Sequence, residues 1–307
     1  QNDFLFEISK HVLINFEIFT HPFSNYNILE SPEYKEADII HLHWISNFID
    51  YKTFFANNIK PIVWTLHDEN PYRGAFHYES DEVNNIQYAE IDKEYKKIKK
   101  DGIHKQEHLI PVSPSLWLKQ RIQQSEAFKN RKSFLIRYAI NPLIYKPLDS
   151  KLYRSVFNIP TDKFVFLFVA DNILNKRKGF DLLEPLINDS DFLDEFFVIV
   201  GENDKKYNDK SNILFTGRVE DERIMAFLYN CANFFIIPSR EDNFPNTTIE
   251  SLCCGTPVIA FPIGDNDEIL KDNKGIVCDE ISTQALKKAM LYAKQNVKEY
   301  KKSDISN

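Results

Sequence analysis

The chain has 307 residues, 43% of them hydrophobic and 27% charged; at roughly 150 residues per domain this makes two globular domains with sizeable cores. A disordered tail, a collagen-like fibre and a disulfide miniprotein are excluded. The net charge of −7 argues against a nucleic-acid partner, since neutralising phosphates needs a basic face, and the longest apolar runs, at 164–170 and 196–200, are far shorter than the ~20 residues of a membrane helix.

Residues 1–10 lack a basic flank ahead of an apolar block, so no secretory leader is expected and the protein reads as cytoplasmic. Asp38-Ile-Ile-His-Leu-His-Trp44 alternates as a strand does; a helix follows over 48–57 and a buried strand over 61–67. The charged, periodic stretch 88–100 predicts a surface helix, 108–113 a third strand, 114–124 a helix capped by Ser113, and 134–140 a fourth strand. Strands separated by helices imply a parallel sheet with helices on its faces. The segment 142–149, with Pro142 and Pro147, reads as a linker, giving domains at 1–148 and 149–307.

In the second half the alternation is cleaner. Strands are expected at 164–170, 195–201, 213–216, 233–238 and 257–261, and helices at 180–187, 221–230, 247–254 and 282–295. This is a doubly wound α/β pattern, whose ligand belongs beyond the carboxyl ends of the strands. The four cysteines, Cys231, Cys253, Cys254 and Cys278, show no CxxC spacing and read as buried, reduced thiols, with no zinc site. Six of the eight glycines lie after residue 170, and all eight histidines lie before residue 109. Close backbone approach to a ligand is therefore expected in the second half, and imidazole chemistry only in the first.

The most informative stretch is Pro238-Ser-Arg-Glu-Asp-Asn-Phe-Pro-Asn-Thr-Thr-Ile-Glu250, followed by Cys254-Gly-Thr-Pro257. A strand ends, a polar loop follows, and a helix starts near Asn246 or Thr247, either of which is a good N-cap. The open amides of that first turn form an anion site, flanked by Asp242 and Glu250. Alone, an acid near a helix start is often only a charge complement. A second cluster, Lys176-Arg-Lys-Gly179, follows the strand at 164–170, where solvation is the usual fate of such cations. Its place at a strand's carboxyl end, closed by Gly179 before a helix, points instead to an anion contact. His41 and His43 share one face of their strand, and His67 with Asp68 ends the next. No GxGxxG follows any strand, which argues against a hydride-transfer dehydrogenase.

These motifs resemble the retaining glycosyltransferases of GT-B fold in the family 4 group. Pro238-Ser239, Asp242, Phe244, Glu250 and Cys254-Gly-Thr-Pro257 stand in that family's register, with Asp242 in place of the usual glutamate and Glu241 beside it. The resemblance implies two Rossmann-like doubly wound parallel-sheet domains facing a cleft, the N-terminal one incomplete because 1–35 shows no glycine-rich loop; the end of the chain also lacks a helix that members add. It implies that a nucleotide-sugar, UDP- or GDP-linked, is a substrate, with no other cofactor and no metal, and that the acceptor is a glycan or lipid-linked molecule in bacterial surface polysaccharide synthesis, which allows peripheral membrane contact. His67, Lys178 and Asp242 take catalytic roles: His67 hydrogen-bonds the donor sugar, Lys178 meets the diphosphate, and Asp242 accepts from sugar hydroxyls. Glu250 accepts from the ribose hydroxyls, the amides around Phe244, Pro245, Asn246, Thr247 and Thr248 hold the diphosphate, Arg177 takes the place of an arginine expected at Asn172, and Gly217 with Arg218 borders the base. Ser113 and the helix after it match an acceptor segment, and 264–268 loosely a sugar-side loop. Lys178→Ala is expected to slow turnover by ~100–1000-fold with little effect on stability. A sugar phosphorylase and a non-catalytic nucleotide-binding fragment are the competing readings.

Overall fold

The computed structural model describes residues 16–202 and 211–306; the expectation for residues 1–10 lies outside them. The chain divides into two compact units, 1–137 and 138–307, so the boundary precedes the expected linker. The reason is packing. Tyr145 is buried in the second unit's core, with Ile140 and Ile144 against it, and the Leu148 amide donates to Asn230 Oδ1 at 2.7 Å. The proline-bearing segment therefore belongs to the second unit.

The first unit holds a parallel sheet in the order β1 (Ile40–Leu42), β2 (Ile62–Thr65), β3 (Leu109–Ser113) and β4 (Phe134–Leu135). Helices α1 (Tyr51–Asn57), α2 (Ala89–His104) and α3 (Leu116–Gln124) connect the strands. Trp64, Phe55, Tyr51, Ile103, Leu118 and Phe128 share its core. Strand β4 is two residues long rather than seven, because beyond it the side chains stay in water, Ile136 being 60% exposed. The cap of α3 is Ser115, whose Oγ accepts from the Leu118 amide at 2.9 Å. Ser113 is buried and donates to the Ser115 carbonyl instead.

The second unit is a six-stranded, all-parallel sheet in the order β10-β9-β8-β5-β6-β7, built from β5 (Val165–Asn172), β6 (Phe196–Glu202), β7 (Ile213–Gly217), β8 (Phe234–Ile237), β9 (Val258–Ala260) and β10 (Gly275–Val277). Period-two alternation sends neighbouring residues to opposite faces. Val165, Leu167, Phe196, Val198 and Val200 face one core with α6 (Glu222–Cys231) and α7 (Asn246–Cys253). Phe166, Phe168, Phe197 and Ile199 face the other, with α5 (Phe180–Ile187) and α8 (Thr283–Asn296). Each such side chain contributes about 1.5–3 kcal/mol on burial. Helix α4 (Ser150–Val156), capped by Asp149, and strand β10 were not expected. Cys231, Cys254 and Cys278 are buried free thiols, and burial pushes each thiol up, Cys231 to about 11 and the other two to about 12. Among the described residues no helix is long and apolar enough to cross a membrane.

Candidate functional site

All strands of the second sheet are parallel, so their carboxyl ends share one edge. From β5 the sheet continues to β6 and β7 on one side and to β8, β9 and β10 on the other. The chain therefore leaves β5 and β8 in opposite directions, the switch point at which a doubly wound sheet takes its ligand. Both charged motifs sit there. After β5, Asn172 Oδ1 accepts from the Leu174 amide at 2.8 Å and thus closes a local turn, while Asn175 caps the single 3₁₀ turn Lys176–Lys178. Gly179 follows at φ 74°, and a Cβ there would lie 1.7 Å from the Pro238 carbonyl oxygen, so only glycine lets this loop lie against the end of β8. The Arg240 amide then donates to the Arg177 carbonyl at 2.8 Å, and the Arg240 guanidinium grips Asp181.

At this switch point Lys178 Nζ meets Asp242 Oδ2 at 2.8 Å. Arg177 Nη1 donates to the Glu241 carbonyl at 2.9 Å and stands 3.5 Å from the same Asp242 oxygen. The second oxygen, Oδ1, accepts from the Asn243 amide at 3.0 Å. Burial works against ionisation of Asp242, but Lys178, then Arg177, and the two hydrogen bonds outweigh it, and its carboxyl is held below the usual range. Asp242, not its neighbour Glu241, is the acid facing Lys178. Gly264 supports the loop from below: at φ 54°, its Cβ would be 2.6 Å from the Asp242 carbonyl oxygen.

Helix α7 begins one step later. Asn246 and Thr247 are its first and second residues, and the N-cap is Pro245, which offers no side-chain cap and is followed by no acid in the first turn. The expected Asn or Thr cap is thus absent, because a proline's fixed φ suits the position just before helical geometry while it brings no acceptor. The amides of Asn246 and Thr247 carry the positive end of the helix dipole with no built-in anion against it. Phe244 is buried, its ring against Tyr138 at 5.7 Å. The hydroxyls of Ser239 and Thr248 are buried without a hydrogen-bond partner.

Glu250 lies on the same helix and faces α6, where Tyr229 donates to its Oε2 at 2.9 Å. Burial raises its carboxyl above the usual glutamate range; the Tyr229 bond opposes this and Glu222 adds to it. The buried Tyr229 phenol is itself held well above the tyrosine range, by burial and by Glu250. Gly217 ends β7 on the same edge of the sheet, and the exposed Arg218 pairs with Glu220 at 3.4 Å and Glu202 at 3.7 Å. The structure thus joins Lys178, Arg177 and Asp242 directly and places α7 and Glu250 after them, with Gly217 and Arg218 further along the edge in their own ion pairs. Gly264, from the loosely matched sugar-side loop, thus packs against the Asp242 loop, whereas Tyr229 is not singled out by any sequence motif.

In the first unit His67 follows β2, and its Nε2 lies 3.0 Å from His43 Nδ1. Burial, then His43, lowers the His67 pKa, with Asp68 opposing. The rings of His41 and His43 are 4.2 Å apart, and His41 Nε2 pairs with Thr65 Oγ1 at 2.9 Å. No group of three His, Cys, Asp or Glu among the described residues could hold a metal ion. The loop after His67 is held from two sides: His77 Nδ1 meets Asp68 at 2.6 Å, and the buried Lys99 Nζ donates to the carbonyls of Asn70 and Gly74 and to Asn70 Oδ1.

The profile of the family described as glycosyl transferases group 1 matches residues 149–304. An uncharacterized glycosyltransferase of Methanocaldococcus jannaschii is 30% identical over 158 residues, 48% of this chain and 42% of the relative. An O-antigen biosynthesis glycosyltransferase of Escherichia coli is 30% identical over 152 residues, 47% of this chain and 41% of the relative. The match therefore spans less than half the length of these curated relatives. Among solved structures, sucrose-phosphate synthase from Thermosynechococcus elongatus superposes with a TM-score of 0.69 at 18% identity, over 88% of this chain and 67% of that one. This likeness concerns the fold, a GT-B type built from two Rossmann-like parallel α/β domains.

Proposed function

The chain belongs to the glycosyl transferases group 1 family, and on that footing we propose that it is a retaining glycosyltransferase moving a sugar from a nucleoside-diphosphate donor to a glycan or lipid-linked acceptor. The observation that carries this reading is the Lys178–Asp242 pair at the switch between β5 and β8, beside an α7 start that lacks both a cap and an acid. A diphosphate fits such a place: ammonium and amides face its oxygens, and the ionised Asp242 accepts from sugar hydroxyls, as a group that only accepts should. Glu250, held by Tyr229, accepts from the two ribose hydroxyls, and Gly217 with Arg218 borders the base.

In the reaction the bond from the anomeric carbon to the phosphate oxygen breaks, and the acceptor oxygen bonds to that carbon on the same face. The acceptor's proton passes to the departing phosphate. The extra negative charge on the nucleoside diphosphate is what Lys178 and the α7 amides stabilise, at about 2.7–4 kcal/mol for each well-aimed donor. This reading leaves the charge balance to protein groups, without a metal, and gives His67 a hydrogen bond to the donor sugar. The role of the Escherichia coli relative, O-antigen biosynthesis, supports a surface polysaccharide as the product class.

Thermal-shift measurements with UDP and GDP test the donor site: binding at one hundred times the dissociation constant stabilises by ~2.7 kcal/mol. Transfer from a panel of UDP- and GDP-sugars, with the anomeric configuration of the product read by NMR, tests the chemistry. An inverted product, or no shift with either nucleotide, refutes the reading.

A further inference from the structure

The first unit carries a groove of about 610 Å³ beside the loop after β2, within the size range of ligand sites. Six cations line it, Arg73, Lys93, Lys96, Lys97, Lys100 and Arg121, against two carboxylates, Glu69 and Glu126. Glu79, Glu82 and Asp101 bind three of these cations from outside the lining, so the distinguishing feature is the lysine row rather than a large net charge. The two arginines are held by the protein itself: Arg73 and Arg121 both bind the buried Glu69 and the exposed Glu79, and Arg73 also binds Glu82. The lysines are not held in that way. Lys93, Lys96, Lys97 and Lys100 recur at helical spacing along one face of α2, and Lys93 and Lys96 form no salt bridge among the described residues. Among the described residues Lys97 and Lys100 pair only with the exposed Asp101 and Glu126, solvent-screened contacts that an incoming anion displaces easily.

We propose that this groove binds an acidic oligosaccharide, a carboxylate- or phosphate-bearing stretch of the acceptor glycan. Four ammonium groups spread over about 10 Å of helix cannot converge on one anion, whereas a chain with repeated anions meets them in turn. Gln124, also in the lining, offers a side-chain amide suited to sugar hydroxyls. An anionic membrane is the poorer fit. The lysine row lines a concavity, which an extended sugar chain enters and a bilayer surface does not. That the occupant is a glycan rests on the transferase reading; that it is anionic rests on the groove.

The test is isothermal titration of the purified chain with tetragalacturonate, with neutral maltotetraose as control, at low and moderate salt. Tetragalacturonate is expected to bind roughly tenfold or more tightly than maltotetraose, and to weaken as salt rises. Replacing the row (K93A, K96A, K97A, K100A) should lower its affinity at least tenfold while the UDP or GDP thermal shift stays unchanged, which shows that the fold is intact. Absent binding, equal binding of the neutral sugar, or affinity indifferent to the four substitutions overturns the proposal. Lysine-dependent binding to phosphatidylglycerol vesicles without binding of tetragalacturonate overturns it as well. A chain that binds tetragalacturonate through these lysines but neither nucleotide keeps the anionic groove and loses the transferase reading.

Discussion

Replacing Lys178 by methionine separates catalysis from architecture. The methionine keeps most of the side-chain length and removes only the charge. In the resting structure that charge meets Asp242 at 2.8 Å, with the two side chains 25% and 15% exposed. Breaking a buried pair costs about 3–5 kcal/mol; here Arg177 stays at 3.5 Å and the Asn243 amide still donates, so a loss of about 1–3 kcal/mol follows. That lowers the melting temperature by roughly 3–10 °C for a unit of this size, a larger effect than the sequence alone suggests, because the partner carboxylate is not visible there. Turnover should fall further, ~100–1000-fold, from the lost stabilisation of the leaving diphosphate, and Lys178→Arg should recover part of it. Initial rates of sugar transfer and calorimetric melting are the assays. A Lys178→Met protein that melts early yet transfers at nearly the wild-type rate would show that Lys178 only tethers the Asp242 loop, and the mechanistic assignment would fail.

Tyr229→Phe should weaken nucleoside-diphosphate binding about tenfold and leave the 2′,3′-dideoxy analogue nearly unaffected, since the phenol orients Glu250 and one such bond to a charged acceptor is worth about 1.5–3 kcal/mol; equal losses for both ligands would assign Tyr229 to packing alone. Because burial raises the Glu250 pKa, acidification should protonate Glu250 above the ordinary glutamate range and weaken nucleotide binding there, and Glu250→Gln should bind weakly with that step gone. Burial lowers Lys99 to about 7, with Asp68 and Asp92 opposing. The folded chain then binds fewer protons than the unfolded one between pH 7 and the ordinary lysine value of about 10.4, so stability should rise with pH across that window, and Lys99→Met should remove this rise in denaturant titrations. Gly179→Ala, at φ 74° and with its Cβ 1.7 Å from the Pro238 carbonyl, should force the β5 and β8 loops apart and lose both stability and nucleotide binding.

The second sheet was legible because its strands are short apolar runs bounded by glycine, proline or charge, and five of its six strands fall where those runs lie. Strand β10 was missed: it has three residues, all only half-buried, too few for a period to register. Strand β4 fails in the opposite sense, since 134–140 has a strand's composition but no neighbour to bury Ile136. The same limit governs the site. Lys178 and Asp242 were legible as members of motifs, while their direct pairing arises from the order of β5 and β8 in the sheet, which no local pattern encodes.

Lys99 shows where a closer reading of spacing would have helped. It stands among Lys96, Lys97 and Lys100 and has their composition, yet it shares a helical face with Ile98, Gly102 and Ile103, all buried. A lysine on the apolar face of an amphipathic helix must find carbonyls to pay for its desolvation, and here it finds those of Asn70 and Gly74. The other lysines turn outward and form the groove wall. One helix thus sorts five lysines by phase alone: the inward one pins the loop that follows His67, and the outward four supply the positive surface. A one-residue change of phase in α2 would exchange these roles, so the loop and the groove are set by the same periodicity.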